Sequence, residues 1–393
     1  MYTPLIRTLT LGIADAHPLT SKVISDAAQY LQTAQTRFTE AGYEVQTVRL
    51  STRPLFADLG EWPSLALRKY ARELQGMLDN AAIGFCSLGP ALAAEPEFPL
   101  ERVDLLADLI AETSVLNASV QLADLEHGLR AEAAIPTAQV MKRLAGETEE
   151  GFGNFRFAML ACVPPGCPFF PAAYHEGTDS LSIGMQGAGI VADALRACAN
   201  EGQLPLNLIQ VSEQVRAALI EYASPIITLG QQFAHEYGIQ FGGIDVSPAP
   251  MGADSIVSAM ELCGYGQFGT SGTLAVAAAL TSALKSTGLP TCGYCGLMLP
   301  VLEDALLGQR WAEGLVNAHQ LLLYSAVCGT GLDTVPLPGD IGTESIANLL
   351  LDVATLAVRL QKPLSARLFP APGKKVGEYT TFTSQYLTNT ILK

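Results

Sequence analysis

A histidine next to a glutamate follows a rigid turn in the middle of the chain. His175 and Glu176, preceded by Tyr174, come after residues 164–171, which are rich in proline and phenylalanine. Histidine titrates near neutral pH, and a neighbouring carboxylate can tune it for proton transfer. We therefore expect His175 and Glu176 to handle protons, with Tyr174 against the substrate. A structural loop that holds a partly buried histidine explains the same residues.

A second candidate is an aspartate that ends an apolar strand. Asp245 follows Gly242 and Gly243 and precedes Ser247. Ligands of parallel α/β proteins bind at the carboxyl ends of strands, and glycine lets a ligand approach the backbone. This placement predicts that Asp245 and Ser247 bind the substrate. The alternative is an aspartate that caps the following turn.

A third candidate is a glycine-flanked threonine near the C-terminal third. Thr330 lies between two glycines and could form an anion-binding nest with them, although a single Gly-x-Gly is weak evidence. Asp333 and Asp340 follow on neighbouring loops and could hold a divalent cation through oxygen ligands. Cys328 could act as a nucleophile, but a cysteine that ends an apolar helix more often serves packing. Asp340 could instead cap the next helix.

A basic turn stands out in an acidic chain. Lys374 and Lys375 lie between glycines, where a lysine could meet a carboxylate or phosphate of a ligand. A solvated turn explains the same residues. We take Lys374 as a candidate substrate-binding residue.

The composition and charge of the chain limit the classes of protein to which it can belong. The 393 residues are 49% hydrophobic and 16% charged, which excludes a disordered chain. The net charge of −15, with no run of five basic residues, makes nucleic acid an unsuitable partner. The eight cysteines lie mostly in apolar surroundings, and the N-terminus lacks the pattern of a signal peptide. The low-charge run at 270–284 predicts a buried helix and no membrane span. We expect a cytoplasmic protein.

These residues must be positioned by alternating strands and helices. That alternation predicts an α/β class with a largely parallel sheet covered on both faces. Neither a linker nor an internal repeat divides the chain, so we expect one domain over residues 1–393. A closed or strongly wrapped sheet is the simplest architecture, and a doubly wound open sheet is the alternative.

Several segments together resemble the family called domain of unknown function 711, which is related to the UPF0210 proteins. The most distinctive is Pro168-Phe169-Phe170-Pro171-Ala172-Ala173-Tyr174-His175-Glu176-Gly177. The others are residues 6–12, 42–47, 155–157, 241–247, 268–274, 296–304, 328–333, 336–340 and 372–378. The resemblance implies a ten-stranded α/β barrel similar to the pyruvate formate-lyase-like glycyl radical enzymes. It does not imply their chemistry, because residues 379–393 contain no glycine that could carry the radical.

The leading hypothesis is an enzyme that acts on a small polar or anionic metabolite inside the barrel by acid–base or metal-assisted chemistry. A non-catalytic metabolite-binding or regulatory protein is the first alternative. Thiol chemistry at Cys328, or at Cys162 and Cys167, is the second. The hydrophobic content also suits a homo-oligomer, most simply a symmetric dimer.

Overall fold

The structure, a computed structural model, describes residues 5–201, 204–327 and 329–393. Within those residues the chain forms ten β-strands of one sheet, interspersed with α-helices. The strands are β1 (Leu5–Gly12), β2 (Val48–Ser51), β3 (Cys86–Ala91), β4 (Leu116–Asp124), β5 (Gly128–Leu129), β6 (Phe157–Ala161), β7 (Ser180–Gln186), β8 (Gln240–Asp245), β9 (Gly331–Pro338) and β10 (Leu364–Ala371). The helices are α1 (Ser21–Glu40), α2 (Leu55–Leu59), α3 (Ser64–Asn80), α4 (Leu105–Ala111), α5 (Ala134–Glu147), α6 (Ala188–Glu201), α7 (Leu208–Tyr237), α8 (Ile256–Glu261), α9 (Thr273–Lys285), α10 (Ala305–Ala312), α11 (Ala318–Val327) and α12 (Thr343–Leu360). The predicted α/β class is confirmed.

The sheet consists of two parallel sets that run in opposite directions. Its strand order is β8-β7-β1-β2-β3-β4-β6-β10-β9, and β5 pairs with β4 outside this path. Strands β1, β2, β3, β4 and β6 are parallel to one another. Strands β7 and β8 are parallel to each other, as are β9 and β10. The sets meet at two antiparallel pairings, β1 with β7 and β6 with β10. The sheet is thus largely parallel, as the sequence predicts.

The sheet has ten strands, but strand pairing does not close it. The edge strands β8 and β9 are not neighbours in the sheet order. Residues 291–300, which we call the bridging segment, run between the two edges. An isolated bridge joins Thr291 to Ile244 of β8, and another joins Pro300 to Asp333 of β9. A barrel-like wall therefore forms, in which two isolated bridges stand in place of a continuous strand.

Amphipathic helices cover the outside of this sheet. In α1, Thr20 caps the first turn by accepting a hydrogen bond from the backbone N of Val23 at 3.3 Å. Ile24, Leu31 and Phe38 recur every two turns on one face and are fully buried, which fixes the helix against the sheet. No helix in the described parts of the chain is both long enough and apolar enough to cross a membrane.

Two loops enter the space that the sheet encloses. Residues 162–179, the β6–β7 loop, and the bridging segment share a buried apolar cluster that includes Phe169, Tyr294 and Met298. Thr10 of β1 donates its hydroxyl to the carbonyl of Pro168 at 2.9 Å, which ties the β6–β7 loop to the sheet. The loops fill part of the interior, and a cavity occupies the rest.

Candidate functional site

The interior cavity has a volume of about 390 Å³. Its wall includes residues of β1, β2, β4, β6, β9 and β10, together with residues of the β6–β7 loop and the bridging segment. Strands from both parallel sets thus face one space, which shows that the sheet curves around it. The strand residues that line the cavity are Arg7, Arg49, Asn117, Ala158, Asp333, Ser365 and Arg367.

Two of the three arginines in this wall are neutralised by carboxylates. Arg7 donates to Glu303 at 3.2 Å, and Arg367 donates to the other oxygen of Glu303 at 2.6 Å. Arg367 also donates to Asp333 at 2.5 Å. Burial alone would lower the pKa of Arg367, but Asp333 and Glu303 raise it above its ordinary value. These four side chains form a charge-balanced network, because two positive charges meet two negative ones.

Arg49 is the third arginine, and it has no carboxylate partner among the described residues. Its Nε donates to the hydroxyl oxygen of Thr47 at 3.0 Å, while Thr47 gives its own proton to the carbonyl of Arg7 at 2.8 Å. The guanidinium carbon lies 5.0 Å from the ring centroid of Phe85 and 5.3 Å from that of Phe170. These contacts orient the group and leave both terminal nitrogens without an acceptor in the part of the chain that the structure describes.

The electrostatic state of Arg49 follows from this arrangement. The residue is 8% exposed. Burial lowers the pKa of Arg49 to about 9, and the nearby positive charge of Arg7 adds to that effect. A buried cation without a counter-ion is costly unless a partner is supplied. Arg49 is therefore a buried cation that makes no salt bridge within the described residues, although Glu303 lies near enough to oppose the fall in its pKa and the exposed Glu44 also lines the cavity.

Stacked aromatic rings lie beside the charged network, where the C-terminal segment packs. Phe155 stacks on Phe152 and on Tyr386, with centroid distances of 5.0 and 5.6 Å. The guanidinium of Arg367 lies 5.2 Å from the ring centroid of Phe155. Phe155 and Tyr386 line the cavity, and Tyr386 is only half-buried. This part of the wall can present flat apolar surface to a ligand.

Of the site residues predicted from sequence, the cavity wall includes Thr330 and Asp333. Thr330 is 4% exposed and has backbone glycines with positive φ on both sides, Gly329 at 72° and Gly331 at 100°. Asp333 is held by Arg367. Thr330 and Asp333 therefore lie in the cavity wall, and their predicted roles in substrate and metal binding stay predictions.

Tyr174, His175 and Glu176 are not among the residues that line the cavity. The His175 ring is buried, and its Nε2 lies 2.9 Å from the carbonyl oxygen of Thr178. Burial lowers the pKa of His175. Tyr174 is also buried and donates its hydroxyl to the carbonyl of Val163 at 3.0 Å, whereas Glu176 is exposed. The pair is adjacent in sequence, but its two side chains occupy different environments.

Asp245 and Ser247 form a closed hydrogen-bond network outside the cavity wall. One oxygen of Asp245 accepts from the Ser247 backbone N at 2.9 Å, from the Ser247 hydroxyl at 2.6 Å and from the Cys295 N at 3.1 Å. The other oxygen accepts from the Tyr294 N at 2.7 Å. Burial raises the pKa of Asp245, and these four donors oppose the shift. The network fixes the bridging segment, so the turn-capping alternative describes Asp245 best.

Two further predicted residues, Asp340 and Lys374, lie near each other outside the cavity wall, because the Gly339 N–H donates to the Lys374 carbonyl at 2.8 Å. Asp340 is exposed, Lys374 is half-buried, and neither lines the cavity. No group of three or more His, Cys, Asp or Glu side chains suited to a metal ion occurs in the described ranges. Asp333 and Asp340 thus lack a third ligand of these types there. Cys328 lies outside the described residues.

Sequence reasoning missed the arginines and Glu303. Arg49 and Arg367 each interrupt a strand between two apolar neighbours, as in Val48-Arg49-Leu50, and Arg7 lies between Ile6 and Thr8. A charged residue is almost never fully buried unless it is paired. An isolated arginine inside an apolar strand is therefore the signal that could have found this site.

Comparisons with known proteins identify relatives over nearly the whole length. A family model described as uncharacterised ACR, DUF711, matches residues 2–384. A UPF0210 protein of Oenococcus oeni is 26% identical over 399 residues, covering 96% of this chain and 88% of that protein. A UPF0210 protein of Pyrobaculum aerophilum is 30% identical over 357 residues, covering 86% and 76%.

Solved structures of low sequence identity also match most of the chain. An anaerobic ribonucleotide reductase matches with a TM-score of 0.48 and 12% identity, over 98% of this chain and 76% of that one. The anaerobic ribonucleotide reductase from Thermotoga maritima in complex with dATP and CTP gives a TM-score of 0.46 and 11% identity, over 98% and 79%.

Proposed function

The chain belongs to the DUF711 family of uncharacterised proteins, and we propose that it binds a small anionic metabolite in the interior cavity. The ligand carries a carboxylate or phosphate group that pairs with Arg49. The observation that carries the proposal is the Arg49 guanidinium, which is buried, oriented by two aromatic rings and without an acceptor for its terminal nitrogens among the described residues.

The shape of an arginine explains why an anion suits this position. A guanidinium presents parallel N–H donors that match the two oxygens of a carboxylate or phosphate. Thr47 already binds Nε, and the rings of Phe85 and Phe170 flank the group, so little side-chain freedom remains to be lost. Preorganised donors of this kind increase affinity because binding need not order them.

The charge at Arg49 favours an anion over a cation at that position. The interior network pairs Arg7 and Arg367 with Glu303 and Asp333, and no carboxylate of the described residues, the lining Glu44 included, forms a salt bridge with Arg49. The whole chain, in contrast, has a net charge of −15. A local positive charge inside an acidic protein concentrates an anionic ligand at that place.

The volume limits the size of the ligand. A cavity of about 390 Å³ lies near the lower end of the range for small-molecule sites. Acid–base catalysis by His175 and Glu176 would require those side chains in the cavity, and they are not part of its wall. Binding of the metabolite is therefore the function that the geometry supports best.

The test compares thermal stabilisation by anions in three forms of the full chain. These are the wild type, Arg49→Met and the control Arg196→Met, which removes an exposed arginine paired with Asp193. After exhaustive dialysis, each is melted with a panel of small carboxylates and phosphates. A ligand at about 100 times its Kd stabilises a protein by about 2.7 kcal/mol. We expect wild type and Arg196→Met to respond to the same anions and Arg49→Met to lose the response. An equal response in Arg49→Met would contradict the proposal, as would the absence of any response in wild type.

A further inference from the structure

A loop near the C-terminus borders the mouth of the cavity. Among the described residues that line the cavity, only Glu44 and Gln385 are exposed, which places its opening to solvent beside them. Gln385 belongs to residues 383–388, which we call the C-terminal loop. Glu44 lies three residues before Thr47, whose hydroxyl binds the Nε of Arg49. The C-terminal loop and the segment that orients Arg49 therefore both border the mouth.

The C-terminal loop is attached to the rest of the protein at both of its ends. At one end, the backbone N and the hydroxyl of Thr383 donate to Glu150 at 2.8 and 3.2 Å. At the other end, the backbone N of Thr388 donates to the carbonyl of Leu302 at 2.6 Å. Tyr386 lies between these two attachments and lines the cavity, so both of them help to hold it at the cavity wall.

The side chain of Tyr386 is oriented through its ring, while its hydroxyl group stays open. The ring stacks on that of Phe155, with a centroid distance of 5.6 Å and an interplanar angle of 17°. The hydroxyl oxygen has no hydrogen-bond partner in the described ranges and, unlike the hydroxyl of Tyr294, it is not enclosed by protein. A phenol whose ring is already fixed can donate its proton to a ligand at a small cost in side-chain entropy.

Tyr386 and Arg49 come together from different parts of the fold. Arg49 is on β2, whereas Tyr386 belongs to the C-terminal loop. Burial is the main cause that lowers the pKa of Arg49, and Tyr386 lies near enough to oppose that shift. The terminal nitrogens of Arg49 also have no acceptor among the described residues and are not enclosed. Two donor groups thus lie near each other in the cavity, and neither has an acceptor in the part of the chain that the structure describes.

We propose that Tyr386 is a second anion-binding residue, whose hydroxyl donates to the oxyanion that Arg49 holds. The inference rests on the proposed function, because Arg49 supplies the positive charge of the site. Each oxygen of a carboxylate or phosphate has more than one lone pair, so one oxyanion can accept from both residues. An anion bound in this way connects the C-terminal loop to β2 and closes the mouth beside Gln385 and Glu44.

The test compares the affinities of wild type and Tyr386→Phe for three anions, measured by isothermal titration calorimetry on the full chain. The anions are inorganic phosphate, propyl phosphate and succinate. Tyr386→Phe keeps the ring that stacks on Phe155 and removes only the hydroxyl. We expect at least one anion to bind wild type, and to bind Tyr386→Phe about tenfold more weakly or worse. The melting temperature without anion should not change. A loss for the phosphates alone, or for succinate alone, would identify the class of anion that the site accepts.

Tyr379→Phe is the matched control, because it removes an exposed hydroxyl that belongs to the same C-terminal part of the chain but lies outside the cavity wall. It should leave every affinity unchanged. Hydrogen exchange gives a second readout: a saturating anion should slow exchange of the backbone amides of residues 384–387 in wild type, and slow it less in Tyr386→Phe.

The outcomes separate this inference from the proposed function. Equal affinity of wild type and Tyr386→Phe for every anion that binds would overturn the role of Tyr386 and leave the Arg49 site intact. An equal loss of affinity in Tyr379→Phe would overturn it as well, because the effect would not be specific to the cavity. Failure of all three anions to bind wild type would overturn both the role of Tyr386 and the proposed function.

Discussion

Asp245 and Arg49 are two buried ionisable side chains of the same wrapped sheet, and they differ in how they are satisfied. Asp245 accepts four hydrogen bonds, all from the protein, with distances of 2.6 to 3.1 Å. Arg49 donates one bond through Nε and has two aromatic contacts, while its terminal nitrogens have no acceptor among the described residues. The protein therefore supplies hydrogen-bond donors to both oxygens of Asp245, but it supplies no acceptor to the terminal nitrogens of Arg49 within the described residues.

Under the proposed function, this difference separates a structural charge, Asp245, from a ligand-binding one, Arg49. A buried polar group that is fully hydrogen-bonded has no capacity left for a ligand, whereas a partly satisfied one is costly until a partner arrives. Asp245 is conspicuous in the sequence because it ends a strand at a Gly-rich turn. Arg49 is inconspicuous there, yet the structure places the free donors on it.

The largest effect is expected from Asp245→Asn. The amide nitrogen would occupy the place of one carboxylate oxygen, where it would face a donor such as the Tyr294 N–H. Two donors would then oppose each other in a fully buried position, and an unpaired buried group costs about 1–3 kcal/mol. With the weakening of the remaining charge-assisted bonds, we expect the free energy of unfolding to fall by about 3 kcal/mol or more. Urea unfolding measures this loss.

Asp340→Asn is the matched control, because that carboxylate is exposed. It should change the free energy of unfolding by less than about 0.5 kcal/mol. If Asp245→Asn kept wild-type stability but lost anion binding, Asp245 would belong to the ligand site. The contrast between a structural Asp245 and a ligand-binding Arg49 would then be wrong for Asp245.

His17 gives an intermediate case, a buried side chain that is satisfied only when neutral. Its Nδ1 lies 2.7 Å from the Tyr70 hydroxyl, and its Nε2 lies 2.9 Å from the Thr52 hydroxyl. The Thr52 hydroxyl can give its proton to the Ser87 carbonyl at 2.9 Å, so it can accept from Nε2. Nδ1 can then accept from Tyr70. Burial lowers the pKa of His17 from 6.5 to about 4.

The depressed pKa of His17 predicts a loss of stability in acid. The unfolded chain takes up a proton near pH 6.5, whereas the folded chain does so near pH 4. The contribution of neutral His17 to the free energy of unfolding is therefore complete above pH 6.5 and is lost as the pH falls to 4. The difference between these two pKa values corresponds to roughly 3 kcal/mol of stability. We expect His17→Gln to remove this part of the pH dependence, measured as the slope of unfolding free energy against pH.

The exposed His127, which is bonded to Asp124, supplies the control for that slope. His127→Gln should keep the wild-type loss between pH 6.5 and 4. The buried His175 contributes in the same direction, so the test compares slopes between proteins. Parallel curves for wild type and His17→Gln would show that His17 is not the group that titrates.

Much of the fold could be predicted from the sequence, because apolar periodicity reports which faces are buried. Residues 119–122, for example, are predicted from the sequence to form a strand, and they lie within β4, whose residues are almost all buried. Residues 297–302 are also predicted from the sequence to form a strand, but residues 297–300 belong to the bridging segment and have one isolated bridge, at Pro300. Proline has no N–H to donate to a ladder. The apolar pattern of this segment reflects packing into the interior, which periodicity cannot distinguish from strand pairing.

The site was less predictable because side-chain direction is a tertiary property. Thr330 of the Gly-Thr-Gly pattern lies in the cavity wall between two glycines with positive φ, and its role in binding stays a prediction. The His-Glu pair gave an equally distinctive signal, but His175 turns to a local carbonyl and Glu176 to solvent. Arg49 lay in a short apolar strand, and only the folded sheet brings it to a cavity with the other arginines.

The smallest effect on stability is expected at Arg49 itself. Arg49→Met loses the Nε bond to Thr47 and the contacts with Phe85 and Phe170. It also removes the cost of a buried unpaired charge, and replacing buried charges with apolar residues of similar volume is often neutral or stabilising. In ligand-free protein we therefore expect the free energy of unfolding to change by no more than about 1 kcal/mol, in either direction. Urea unfolding after dialysis measures this, with Arg196→Met as the exposed control. A loss as large as that of Asp245→Asn would mean that Arg49 is a structural charge, because only a group already satisfied by the protein stabilises the empty fold to that extent.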